Sequence, residues 1–292
     1  QYDYPKVNDL PLDSQVIHIT LTDELFEKIK QFNKQTNSTL FISLLSAFQT
    51  FLSVYYDEEK IVIGSPVAKR NHPNIEKTIG YFVNTLPFKA AVEKNESFIS
   101  FVNRNIKAVS DVLAHQHVPT EQILKQVKLD RIMDSAIFFD SVFVLQNNDQ
   151  VHTNYNSIKL KPKRVNTSKA KFDLVVQAEV WDGKLAIAFE YNKSLFKEEK
   201  MQRMAHNFIY WLNQIFSEST QKLLDLNYIE PSQQEELLKI STHQGDEEFN
   251  KVFEDVITKF KKSVKKMPTK IAAVHNENKI TYSELDSKSN QI

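Results

Sequence analysis

The spacing of apolar positions changes several times along the chain, and each change predicts an element. Residues 15–21 (QVIHITL) alternate between apolar and polar, the period of a half-buried strand. Thr22 can cap a helix in which Leu25, Phe26, Ile29 and Phe32 recur at helical spacing. Residues 36–56 carry no charge, which is long enough to raise the question of a membrane span. Ser43, Ser46, Gln49, Thr50 and Ser53 nevertheless return every three to four residues and share one face, while Leu40, Phe41, Leu44, Leu45, Phe48, Phe51 and Leu52 fill the others. That pattern predicts a largely buried helix of a soluble protein. Ile61-Val62-Ile63 then reads as a short buried strand, broken by Gly64 and Pro66. After a basic crossing (Lys69, Arg70, Asn71, His72), residues 79–86 read as a second strand carrying Gly80, Asn84 and Thr85. Ser97 can cap a third helix with Phe98, Phe101, Val102, Ile106, Val109 and Leu113 on one side. Strand, helix, helix, strand, strand, helix is the order of an α/β layer fold.

Further along, Pro119 suits the start of a short helix, and residues 137–145 form an apolar, aromatic run expected in a central strand. Residues 148–170 are polar and Lys-rich, and predict a mobile loop around one short strand at 157–165. Residues 172–181 and 184–191 alternate on either side of Asp182-Gly183, a strong hairpin signal. Residues 198–216 follow as an amphipathic helix through Met201, Met204, Phe208, Trp211, Leu212 and Ile215, a stripe read as core. A short connecting helix at 231–240 leads to a linker at 241–248 that holds Gly245. Beyond it, Phe253, Val256, Ile257, Phe260 and Val264 share a helical face that ends at Pro268. Residues 270–274 and 279–282 pair as strands, and Ser283 with Asp286 opens a last helix.

Composition narrows the chemistry. Of 292 residues, 41% are apolar, including 20 Phe, enough to pack a core and to suggest about two domains. Lys+Arg and Asp+Glu both number 37, so neither a nucleic-acid platform nor a membrane-surface protein is indicated. Without cysteine, thiol catalysis, disulfide scaffolds and thiolate metal sites are excluded. His115 and His117 invite a metal reading, but alternate residues diverge on a helix and no third ligand is suitably spaced, so no metal is expected. The first residues show neither the basic cap nor the apolar core of a signal peptide. There is no initiator Met and the last residues fall within a predicted helix, so both ends read as cuts in something longer.

Four strings carry a family resemblance. Residues 64–71 follow G-S-P-V-A-x-R-N and residues 79–86 follow I-G-x-F-V-N-T-L. Together they resemble the fifth core motif of the condensation domains of nonribosomal peptide synthetases. Residues 115–121 resemble the sixth, H-Q-x-V-P-x-E, with Thr120 where that family has an aromatic residue, so local packing is expected to differ there. Arg131, Phe139, Asp140, Phe143, Val144, Leu145, Gln146 and Asn147 match the seventh, while Ile137 replaces its proline and Asp134 its serine. The A-K-F-D-L string at 170–174 and the E-Y-N string at 190–192 extend the resemblance over residues 10–230. Residues 280–285 (ITYSEL) resemble the first core motif of the adenylation domains that follow condensation domains.

The resemblance implies a chloramphenicol-acetyltransferase-like α/β lobe, a mixed sheet flanked by helices, which is the C-terminal half of a V-shaped, two-lobe domain. It implies three segments: the lobe with its crossovers at 1–230, a linker at 231–248, and an N-terminal piece of an adenylation domain at 249–292. The family forms amide bonds between aminoacyl or peptidyl thioesters held on the 4'-phosphopantetheine of carrier domains. Its catalytic element, H-H-x-x-x-D-G, lies on the amino-terminal lobe. None of the eight histidines here (18, 72, 115, 117, 152, 206, 243, 275) stands in such a string. No catalytic residue is therefore expected in this chain, no cofactor bound by it, and no activity from it alone. The expected partners are the N-terminal lobe, upstream and downstream peptidyl carrier domains and the adenylation domain, all cytoplasmic, with neither nucleic acid nor membrane.

By resemblance, Arg70 pairs with the aspartate of the absent motif across the lobes, where a solvated loop arginine is the bland alternative. Gly80, Asn84 and Thr85 support the active site or simply pack. Gly64, Pro66, His115, Gln116, Pro119, Phe139, Gln146 and Asn147 line the tunnel or hold its motifs. Three functions remain: half of a condensation enzyme, a non-catalytic docking platform between condensation and adenylation domains, or a lobe of an epimerisation or heterocyclisation domain. The intact I-G-x-F-V-N-T and H-Q-x-V-P strings favour the first over the last.

Overall fold

The computed structural model describes residues 2–7, 11–68, 78–126, 139–146, 154–155, 158–159, 169–241, 255–276 and 278–291. They form two compact units, 1–231 and 232–292.

The first unit is built on a six-stranded mixed sheet. Its strands are β1 (Ser14–Thr20), β2 (Lys60–Val67), β3 (Asn84–Ala91), β4 (Ser141–Gln146), β7 (Leu174–Trp181) and β8 (Lys184–Asn192), in the spatial order β1-β8-β7-β4-β2-β3. β5 (Asn154–Tyr155) and β6 (Ile158–Lys159) form a separate two-residue ladder. β4 runs parallel to β7 and β2; the other neighbours are antiparallel. The β7–β8 hairpin turns at Asp182 (φ 50°) and Gly183 (φ 75°), positive at both positions as a type I′ turn requires.

One sheet face is buried under α1 (Asp23–Thr36), α2 (Leu40–Tyr56), α3 (Phe98–Ala114) and α5 (Glu198–Ser217). A further, short helix, α4 (Thr120–Gln126), lies beside β3. The expected caps are in place: Thr22 accepts from the Leu25 N–H and Ser97 from the Ser100 N–H. Leu185, Ile187, Phe189 and Tyr191 point into the core, whereas Ala186, Ala188 and Glu190 stay half-buried on the other face. Phe208 of α5 meets Phe48, Phe51 and Phe189, joining both layers through aromatic contacts.

α2 is buried on its polar face as well. Asn105 Nδ2 donates to Ser46 Oγ and to Gln49 Oε1, both at 2.8 Å, and Gln49 Nε2 donates to the Phe88 carbonyl at 3.2 Å. Trp211 Nε1 donates to Thr50 Oγ1 at 3.2 Å. These bonds offset the cost of burying the polar face in a dry core and tie α2 to α3, β3 and α5. Among the described residues no single helix is long and apolar enough to cross a membrane; α1 and α2 qualify only together, bent by 106°.

The second unit holds α6 (Pro231–Ser241), α7 (Val256–Lys266), the β9 (Ile271–His275) and β10 (Asn278–Thr281) hairpin, and α8 (Tyr282–Ser289). Leaving aside 240 and 241, none of its described residues is buried.

Three expectations need correction, and others fall partly outside the described residues. The strand expected from residue 79 starts at Asn84, because its partner β2 ends at Val67, which pairs with Asn84. Ile79 and Tyr81 therefore stand almost fully exposed. The central strand expected at 137–145 begins at Ser141, with Phe139 and Asp140 ahead of it. The last helix is capped by Thr281 and Glu284 in a reciprocal capping box, not opened by Ser283 and Asp286. Of the short strand expected at 157–165, Ile158 and Lys159 are paired, and 157 and 160–165 lie outside the described residues. The linker at 242–248 and the start of the 253–264 helix also fall outside them.

Candidate functional site

The motif strings, far apart in sequence, converge around the β2–β3 edge of the sheet. Antiparallel pairing with β3 sets Gly64 opposite Pro87 and Pro66 opposite Thr85. On its other side β2 meets β4 at one bridge only, Gly64 with Val142. Pro66 has no N–H with which to extend that parallel ladder, so beyond Gly64 the strand is held by β3 alone.

Gly64 serves a close approach. A Cβ there would overlap the ring of Phe139, itself buried and 6.1 Å from the Phe172 ring. The Gly-Ser-Pro string and the Phe-Asp string thus meet in van der Waals contact, which any side chain at position 64 would displace.

At the start of β3, Asn84 makes a side-chain clip. Its Nδ2 donates to the Gln116 carbonyl at 3.1 Å and to the Val118 carbonyl at 2.8 Å. Thr120 Oγ1 lies 3.1 Å from Asn84 Oδ1 and 2.5 Å from the Thr85 carbonyl, so one hydroxyl proton serves both acceptors. Both protons of the Asn84 amide nitrogen are committed, and its oxygen has a donor in reach. The fifth and sixth strings are therefore joined by hydrogen bonds, and Asn84 is occupied with main chain. Thr120, absent from the expected site, completes the clip; its only sequence signal is that it stands where the family has an aromatic residue.

His115 sits at the C-terminus of α3, exposed, with Nδ1 2.8 Å from the Asp111 carbonyl. Its ring centroid is 6.3 Å from that of His117. Gln116 takes part through its carbonyl, and the Pro119 carbonyl accepts from the Gln122 N–H at 3.0 Å as α4 begins. Beside the clip, Leu86, Pro87, Asp111, Val112, His115, Val118 and Ile123 line an open apolar pocket of about 380 Å³. Gly80 lies in the mostly exposed arm at 78–83 and takes no part in the clip's hydrogen bonds, and Gln146 ends β4 half-buried. Arg70 and Asn147 lie outside the described residues. Among the described residues no group of three or more His, Asp or Glu side chains is arranged to hold a metal ion.

A mixed sheet with helices on one face, its motif strings gathered at one edge, is an α/β layer lobe of the kind the motifs implied. A family model, Condensation domain, matches residues 2–238, and the chain belongs to that family, the condensation domains of nonribosomal peptide synthetases. Tyrocidine synthase 3 of Brevibacillus parabrevis is 29% identical over the whole chain, which spans 4% of that protein. Gramicidin S synthase 2 of Brevibacillus brevis is 28% identical over 99% of the chain and 6% of its own length. Among solved structures, a four-domain nonribosomal peptide synthetase bound to AMP and glycine superposes with a TM-score of 0.76 at 16% identity, covering 97% of the chain and 22% of that protein. The first condensation domain of the CDA synthetase gives 0.63 at 18% identity over 77% of the chain, 49% of that domain. The chloramphenicol-acetyltransferase-like fold class expected from the motifs agrees with these neighbours.

Proposed function

We propose that the chain is the carboxy-terminal lobe of a condensation domain in a cytoplasmic nonribosomal peptide synthetase module, continuing from about residue 249 into the start of an adenylation domain. The observation that carries this is the family match over residues 2–238 in a chain with no H-H-x-x-x-D-G. In the reaction, the acceptor amine forms a C–N bond to the donor carbonyl, the C–S bond breaks, and the amine proton ends on the departing thiol. The thioesters arrive on the 4'-phosphopantetheine of partner carrier domains. A group placed to take the amine proton or stabilise the tetrahedral species belongs to the other lobe.

This lobe supplies a rigid wall. Asn84, Thr85, Gln116 and Thr120 are tied together, so they hold shape rather than offer free groups to a substrate. The exposed Ile79 and Tyr81 suit an arm covered by the N-terminal lobe. Arg70 is assigned to the ion pair with the motif aspartate of that lobe. The committed clip also favours a second reading, a docking platform with no part in chemistry.

The test joins this chain to an amino-terminal lobe carrying H-H-x-x-x-D-G and assays amide formation from loaded donor and acceptor carriers. Product formation that is lost on replacing the second motif histidine supports the enzyme reading. A folded two-lobe protein without turnover leaves the platform reading. Paired aspartates encoded upstream in place of the motif would mean heterocyclisation instead.

A further inference from the structure

Two Phe-Asp pairs, Phe139-Asp140 and Phe172-Asp173, stand side by side immediately ahead of the paired residues Ser141 and Leu174, where parallel strands β4 and β7 begin. The phenylalanines pack on each other, and Phe139 also fills the space above Gly64. The aspartates share one cation. Lys6 Nζ donates to Asp173 Oδ2 at 2.6 Å and to Asp140 Oδ1 at 3.1 Å, and Tyr2 OH donates to Asp173 Oδ2 at 2.7 Å.

The segment bearing Tyr2 and Lys6 is fastened along its length. Asp3 and Tyr4 donate their N–H groups to the Leu195 carbonyl at 2.9 and 3.3 Å. Asp3 Oδ2 accepts from the Lys197 N–H at 2.9 Å, and its Oδ1 lies 3.3 Å from Lys200 Nζ. The Tyr2 ring sits 5.5 Å from that of Phe196. A polar lead-in with no periodicity is thereby bonded to two strand ends and to the turn before α5.

We propose that residues 2–6 act as a positioning strap, with Lys6 as its charge clamp, that holds the starts of β4 and β7 together and so keeps Phe139 seated on Gly64. The physical need is plain. Two carboxylates brought together by strand pairing repel each other, and Asp173, only 15% exposed, cannot rely on solvent for screening. One cation between them turns the repulsion into attraction. Burial disfavours the Lys6 ammonium, yet its bonds to Asp173 and Asp140 win and hold it charged beyond the ordinary lysine range. The groups facing Lys6 are Tyr2 on its own segment, Asp140 ahead of β4 and Asp173 ahead of β7.

The experiment follows hydrogen exchange of the chain by mass spectrometry at pH 7.5, with Lys6→Met and Lys6→Arg. In Lys6→Met, protection of residues 2–6 and of residues 139–146 should fall together, by about five- to tenfold at pH 7.5. Lys6→Arg should restore most of the protection. Asp140→Asn, on the exposed side of the cluster, should alter the same two segments more weakly, and decides the matter if Lys6→Met does not fold. Unchanged protection at 139–146 would overturn the proposal. So would an Lys6→Arg variant no better than Lys6→Met.

Discussion

The two units use the same kinds of elements and differ in what holds them. In the first, α2 and α5 bury Phe48, Phe51, Phe208 and Trp211 completely. In the second, α7 carries an apolar face, yet Val256 is 83% and Ile257 66% exposed. Local signals are present there in full: Asp255 accepts from the Thr258 N–H at 2.8 Å, and Thr281 with Glu284 forms a capping box. Caps and turns define where elements begin, but burial of an apolar face supplies most of a helix's stability. Among its described residues the second unit has the first ingredient without the second.

That contrast can be broken at its strongest point. Trp211→Ala removes a fully buried indole together with its bond to Thr50, and should cost about 3–5 kcal/mol in a urea melt. A loss below about 1 kcal/mol would mean that α5 is not a core helix. Gly64→Ala should cost about 1–3 kcal/mol by driving Phe139 from its seat, read from the same melts. Asn84→Ala leaves the Gln116 and Val118 carbonyls without their shared donor and should cost about 1–2 kcal/mol, while raising exchange of the 116–120 turn. In the second unit, Thr281→Ala should lose about 1 kcal/mol of local helix stability, seen as faster exchange over 282–289 with the main melt unmoved.

The smallest expected effect is on pH. Asp3 is held below the usual carboxylate range because, against burial, the Lys197 N–H and the Lys200 ammonium favour its charge. Its contribution is present above about pH 4 and lost as pH falls through the lowered value. The Tyr2 phenol is pushed up, first by burial and then by its bond to Asp173, and the Lys6 ammonium is held up despite burial. Their contributions are complete below about pH 10 and fade as pH rises through the raised values. Protection of the Asp3 and Tyr4 amides should therefore be flat across neutral pH and decline at both ends.

Local chemistry was legible in the sequence and long-range chemistry was not. Thr22, Ser97 and Asp182-Gly183 work by contacts within a few residues, and each behaves as its spacing predicts. Within the uncharged run at 36–56, Leu40–Tyr56 is a largely buried helix, as the period of its serines indicated, while Thr36 ends the helix before it. Where β3 begins depends on where β2 ends, a fact of pairing that the apolar run at 79–83 cannot carry. The clip joins Asn84 to Thr120, 36 positions apart, and the strap joins Lys6 to Asp173, 167 apart. Neither leaves a periodic trace. The motif strings pointed to the residues of the clip without revealing that Asn84 bonds main chain, and nothing in residues 2–6 marked them as an anchor.

The most direct test of the account is hydrogen exchange over residues 78–83, in this chain alone and in the same chain joined to an H-H-x-x-x-D-G lobe. Ile79 and Tyr81, 100% and 93% exposed, should exchange at nearly unprotected rates in the chain alone. With the lobe attached, their protection should rise by about a hundredfold or more, as for an apolar arm buried at a standing interface. An arm that stays unprotected in a folded two-lobe protein would contradict the claim that this chain is one half of a condensation domain closed by the other.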